Sequence, residues 1–193
     1  MKEFLKIEKG EYELNRSISV VLDQPLNFEF GENYLLTGDN GSGKSSFASK
    51  LFVPRLLQSV GEDVPVFYIP QDVTIQYYLI RYYYNGLLNE QHDFSSIADA
   101  LSLAKSKIMN YYKAQPCRMI FILDEIDQYI PLRYFLDGLN KDNYSIVLIT
   151  HNENNLPEIE FKHLIFDMIS SERTQILCSG NSYGTMNGDK DGI

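Results

Sequence analysis

Gly38-Asp39-Asn40-Gly41-Ser42-Gly43-Lys44-Ser45 fits G-x-x-x-x-G-K-[ST] without a mismatch. The apolar run Asn33–Thr37 before it predicts a strand. Ser45–Leu51 after it predicts a helix, stopped before Pro54. A glycine-rich turn between strand and helix aims backbone N–H groups at a polyphosphate, and the helix N-terminus adds partial positive charge. Gly38, Asn40, Gly41, Ser42, Gly43 and Ser46 are thereby candidates to line the phosphates. Lys44 is expected to reach the β/γ-phosphates and the Ser45 hydroxyl to ligate Mg²⁺. A Gly/Ser-rich turn can imitate such a pattern, but here strand, loop and helix are all in place. The chain is expected to bind a nucleotide.

The 193 residues suffice for one domain with a full core, and no break in composition suggests two. At 44% hydrophobic and 22% charged residues the composition is that of a soluble globular protein, and no apolar stretch is long enough to span a membrane. Met1–Lys6 has no apolar segment of a secretory signal. Cys117 and Cys178 lack metal-like spacing and lie in or beside apolar runs, so they read as buried reduced thiols of a cytoplasmic protein. A net charge of −9 with dispersed Lys and Arg argues against a broad nucleic-acid footprint. Five of the 14 tyrosines crowd into Tyr77–Tyr84. On a helix they form either a core-facing aromatic stripe or an exposed patch for a partner protein.

Residues 3–30 alternate loosely and predict short antiparallel strands at Phe4–Glu8, Ile18–Leu22 and Leu26–Phe30. Val64–Pro70 reads as another strand, and residues 73–88 and 95–114 as helices. Met119–Leu123 and Ser145–Thr150 are continuous apolar runs, the pattern of parallel strands buried on both faces. His163–Asp167 and Thr174–Cys178 form a closing hairpin around Ser170–Arg173. Residues 1–178 are expected to be one nucleotide-binding domain, and the Gly, Ser, Asn and Asp-rich stretch 179–193 a flexible tail.

Asp124-Glu125 closes the strand that begins at Met119, where open α/β sheets bind ligands. The first carboxylate is suited to hold Mg²⁺ and the second to polarise an attacking water as general base. A solvated turn at a strand end is the alternative. His151 directly follows the strand Ser145–Thr150, within reach of a γ-phosphate. Gln71 follows Ile69-Pro70, where its amide can touch Mg²⁺ or the water.

Phosphate loop 38–45, Gln71, Asp124-Glu125 and His151 come in an order that resembles the ATP-binding-cassette (ABC) ATPases. Their Walker A, Q-loop, Walker B with catalytic glutamate, and switch histidine follow the same sequence. The resemblance covers about residues 3–178. It implies an α/β P-loop NTPase with a mostly parallel sheet, an N-terminal antiparallel β-subdomain and a helical subdomain, here reduced. It also implies ATP and Mg²⁺ as ligands, with Glu125, His151 and Gln71 in catalysis, and Ser45, Asp124 and Gln71 at the metal. An aromatic upstream of the Walker A stacks on adenine in that family; Tyr12 is the candidate, unless it is an ordinary strand tyrosine.

The partner-facing half departs from the family. The signature Leu-Ser-Gly-Gly-Gln is absent. The nearest stretch, Phe94–Asp99, has Ser95 or Ser96 for the signature serine and the β-branched Ile97 in place of glycine. Only 24 positions separate Gln71 from Ser95, and 26 separate Glu125 from His151. After Glu125 the chain reads Ile126-Asp127-Gln128-Tyr129-Ile130-Pro131, in place of the family's proline and D-loop. The leading expectation is a small non-transporter ABC-type ATPase. Its partner, a second copy or another protein, would supply the other half of the site. A slow or non-hydrolysing binding module is the second reading. The short helical insert argues against a transporter subunit, and the lack of an arginine-rich lid argues against a kinase.

Overall fold

The apolar runs of the sequence become the centre of one sheet. In the computed structural model, residues 3–60, 64–71, 96–114, 117–151, 156 and 159–183 are described. All six residues of β7 (Met119–Asp124) and all six of β8 (Tyr144–Ile149) are buried, as strands covered on both faces must be. β5 (Tyr34–Gly38), which enters the glycine-rich loop, runs parallel to β8 and also to β9 (Glu160–Ser170). β6 (Val66–Ile69) extends the parallel set beyond β7.

β10 (Arg173–Tyr183) turns back antiparallel on β9. β10 then pairs in parallel with β3 (Ile18–Leu22), and β3 pairs antiparallel with β2 (Gly10–Asn15). The eight-stranded order is β2-β3-β10-β9-β5-β8-β7-β6. β1 (Glu3–Ile7) and β4 (Leu26–Glu29) form a separate antiparallel pair. The fold is therefore α/β with a mostly parallel sheet and antiparallel N-terminal strands, as the sequence predicts. β2 was not among the expected strands. Its Glu11 and Glu13 face solvent while Tyr12 and Leu14 turn inward, so only half of it is apolar.

Three expectations need correction. The helix after the loop does not stop before Pro54. α1 (Lys44–Phe47) continues through a π-helical segment, Ala48–Phe52, into α2 (Val53–Ser59). Val53 N–H bonds to Ala48 O, five residues back, and Pro54 falls in the first turn of α2, where its missing N–H breaks no hydrogen bond. Second, β10 continues beyond Cys178, with Ser182 opposite Phe161 and Tyr183 opposite Glu160, so the sheet includes residues expected in the tail. Third, Cys178 is exposed on β10; Cys117 is half-buried, and both are free thiols.

The helical segment 44–59 covers one face of the sheet. Phe47, Phe52 and Leu56 are fully buried there, each contributing about 1.5–3 kcal/mol. Phe52 meets Phe28 of β4 edge-on at 4.7 Å, which seats the β1–β4 pair on this face. The other face is covered by α3 (Ile97–Ala114), through Leu101 and Ile108, and by α4 (Leu132–Leu136), whose Phe135 stands edge-on to Phe121. α3 matches the helix expected at 95–114. The helix expected at 73–88, with its tyrosines, lies outside the described residues.

Candidate functional site

β5, β6, β7 and β8 are parallel, so their carboxyl ends open at one edge of the sheet, the place where such sheets bind ligands. The loop Gly38–Ser45 leaves β5 there and is shaped by close approach. A Cβ on Gly38 (φ 137°) would stand 2.4 Å from the Phe166 carbonyl oxygen of β9, so only glycine fits between the strands. Gly43, at φ 90°, is the residue preceding α1, and a Cβ on it would press on Ile18 at 3.1 Å. No side chain caps this helix start and no acid sits in its first turn, which leaves the N-terminal charge of the helix facing the loop.

Lys44 is 5% exposed. Its ammonium donates to Gly38 O at 2.8 Å and Asp39 O at 2.9 Å, with Ser42 Oγ at 3.4 Å. Burial holds its pKa below the usual lysine value, against the pull of Glu125, Asp124 and Asp39. Beneath the loop, Ser45 Oγ donates to Asp124 Oδ1 at 3.1 Å. Asp124 is 1% exposed, and burial raises its pKa to about 6. A buried carboxylate beside a hydroxyl, with an uncapped helix start above, suits a hard divalent cation that shares oxygens with a phosphate. Among the described residues no cluster of three or more His, Cys, Asp or Glu could hold a metal alone, so this pair fits Mg²⁺ only together with phosphate and water oxygens.

Glu125 is the single non-glycine residue at positive φ (56°) among those described. Its N–H still bonds to Ile149 O at 2.9 Å, which keeps it in the ladder between β7 and β8 while its side chain swings over the loop. Gln71 Nε2 donates to Glu125 Oε2 at 2.8 Å, and His151 Nε2 lies 2.8 Å from Oε1. Gln128 Nε2 also donates to Oε2. The backbone strain of a left-handed glutamate is thus held at the point where three polar side chains converge.

A cleft of about 530 Å³ gathers Asn40, Gly41, Gly43, Lys44, Ser45 and Ser46 with Gln71, Glu125 and His151. Gly38, Ser42 and Asp124 lie directly behind it, in contact with Lys44 or Ser45. Tyr12 does not line the cleft. It stands opposite Val20 between β2 and β3, its hydroxyl donating to Glu8 O at 2.6 Å and its ring covered by the Arg55 guanidinium at 4.9 Å. Of the signature candidates, Ser95 lies outside the described residues. Ser96 accepts the Asp99 N–H at 3.2 Å, capping α3. A larger hollow of about 860 Å³, between α4 and the turn after Glu125, meets the cleft at Gln128 but contains neither the loop nor the acid pair.

Sequence reading missed two cleft residues, Ile18 and Gln128. The signal for Gln128 was its spacing: three residues after Glu125, it returns to the same face within one turn. Ile18 carried no signal, because its approach to Gly43 is a contact between segments distant in sequence.

No protein-family model and no curated protein matches the chain. Solved structures do. An RNase-L inhibitor structure aligns over 92% of this chain at 15% identity, with a TM-score of 0.53. A chain from ribosome-bound archaeal Pelota and ABCE1 aligns over 95% at 16% identity and a TM-score of 0.55. A bacterial Atm1-family ABC exporter with ATP bound aligns over 95% at 14% identity and a TM-score of 0.50. The chain spans 39%, 35% and 39% of the length of those three proteins. The likeness establishes the class of the fold, that of the ABC-type P-loop ATPases.

Proposed function

We propose that this chain binds Mg·ATP and hydrolyses it to ADP and phosphate, the cycle driving association or conformational change with a protein partner. The observation that carries the reading is the single cleft in which Lys44 and Ser45 face Glu125, Gln71 and His151. Backbone N–H groups of Asn40–Ser46 cradle the phosphates and Lys44 shifts from its loop carbonyls to the β/γ oxygens. Ser45 Oγ and Asp124, with the Gln71 amide oxygen, are the groups that would hold Mg²⁺, whose charge neutralises the phosphates. Glu125 accepts a proton from the attacking water. Gln71 and His151, both bonded to Glu125, link that base to the γ-phosphate.

The partner is a second copy of the chain or another protein that closes over the cleft. Among the described residues no helix is long and apolar enough to cross a membrane, and the net charge of −9 disfavours nucleic acid as a direct partner. The cytoplasm, where Mg·ATP is plentiful, is the proposed location.

One observation favours a second reading, a slow or non-hydrolysing ATP-binding module. Three donors already occupy the Glu125 carboxylate. Two substitutions separate the readings. Lys44→Ala should weaken ATP binding by at least about tenfold through loss of a charged phosphate contact; unchanged affinity would sink the nucleotide assignment. Glu125→Gln should reduce phosphate release by about 100-fold or more while ATP still binds. Equally slow release from wild type and variant would select the binding module.

A further inference from the structure

We propose that Gln128 is a positioning residue for Glu125, a role that rests on reading Glu125 as the hydrolytic base. An ionised carboxylate offers roughly four lone-pair positions. On Glu125, Oε2 accepts from both Gln71 and Gln128, and Oε1 accepts from His151. One position remains, on Oε1, and that is the one available to a water proton. Removing any donor lets the carboxylate turn and spreads that position over several rotamers.

The three donors are not equivalent. Gln71 follows β6 and His151 follows β8, and both are assigned contacts with the nucleotide or its metal. Both side chains are thereby shared between Glu125 and whatever is bound. No contact with the nucleotide is assigned to Gln128. It belongs to the same turn as the base: left-handed Glu125 leads into the 3-10 turn Ile126–Gln128, and the Gln128 N–H returns to Glu125 O at 3.3 Å. The turn is pinned on both sides. Ile126 is 1% exposed in the core, and Asp127 Oδ2 accepts from Thr150 Oγ1 at 2.7 Å, beside His151. Gln128 therefore stays in register with Glu125 when the ends of β6 and β8 move, and it holds the base through the cycle.

The test is Gln128→Met, which keeps the length of the side chain and removes the donor. Gln128 is exposed, so the fold should be retained. In steady-state ATP hydrolysis, kcat should fall about tenfold while KM for ATP stays within about twofold, the pattern of a misplaced base. In a Glu125→Gln background the same change should produce no further loss. Unchanged or raised kcat, or equal losses in both backgrounds, would overturn the proposal. Failure of wild type to release phosphate would instead reject hydrolysis, and a readout free of turnover then judges Gln128. Its side-chain amide resonances, assigned by their loss in Gln128→Met, should shift in Glu125→Ala. Resonances that do not move mean that Gln128 does not hold Glu125.

Discussion

Asp124 sits at 1% exposure, yet it must be ionised to hold a cation. Its folded pKa, about 6, lies above the unfolded value of 3.8. Between those values the folded protein binds more protons than the unfolded one, so metal-free stability falls as pH rises from about 4 to 6. Above that window the full penalty, about 3 kcal/mol, is present. Asp124→Asn should therefore raise the melting temperature of the metal-free protein at pH 7–8 and have little effect near pH 4. Mg·ATP should then stabilise wild type more than the variant. Thermal melts across pH, with and without Mg·ATP, check both; a variant less stable than wild type at pH 8 would contradict the sign. Gly38 answers to sterics alone. A methyl group 2.4 Å from the Phe166 carbonyl, on a backbone at φ 137°, cannot be placed without parting β5 from β9. Gly38→Ala should lose at least about 3 kcal/mol, measured by urea unfolding or seen as insolubility.

The segment 44–59 shows how a helix absorbs a proline. Its π-helical stretch carries one residue more than an α-helix would need, and that extra residue opens the turn in front of Pro54. Deleting the exposed Lys50 would remove the extra residue, return the segment to a regular α-helix with Leu56 on the same face, and press the Pro54 ring on the carbonyl four residues back. The expected loss is about 3 kcal/mol or more, read from denaturant unfolding; a deletion as stable as wild type would mean that the π-turn is ornamental. From the sequence, Pro54 could only be read as a stop, because local propensity says nothing about a five-residue hydrogen bond. The apolar strands were legible because burial on both faces leaves an uninterrupted signal. β2 was not, since its glutamates mask a strand that gains its place from β3. The site divides the same way. Lys44, Ser45, Gln71, Asp124, Glu125 and His151 were legible from motif and order. Gln128 depends on the left-handed turn at Glu125, and the Arg55 guanidinium over the Tyr12 ring on a contact between segments far apart in sequence.

At the scale of the whole molecule, Asn40 and Gly41 at the rim of the cleft are exposed among the described residues. In the proposed reading a partner closes over an ATP bound there. If that partner is a second copy, ATP added to Glu125→Gln should shift the sedimenting species from 22.3 kDa towards twice that mass, and ADP should not. A monomer at every ATP concentration would leave a different protein as the partner. Ser96, engaged as the cap of α3, would have to exchange that bond to touch a neighbour's phosphate. Ser96→Ala should then weaken the ATP-driven association, while Ser96→Asp, which retains the cap but adds charge, should abolish it.

The sheet interleaves the two ends of the chain: β10 and β9 lie between β3 and β5. A growing polypeptide thus releases its phosphate loop long before the strand that flanks β5 has been made. Until Glu160–Tyr183 emerges, β5 has one exposed edge and the β2–β3 hairpin has no sheet to join. Slow closure of the sheet is expected from pairings so distant in sequence. Chains ending before residue 160 should retain no ATP, whereas chains that include Glu160–Tyr183 should; equal retention by both would separate the site from the closing of the sheet.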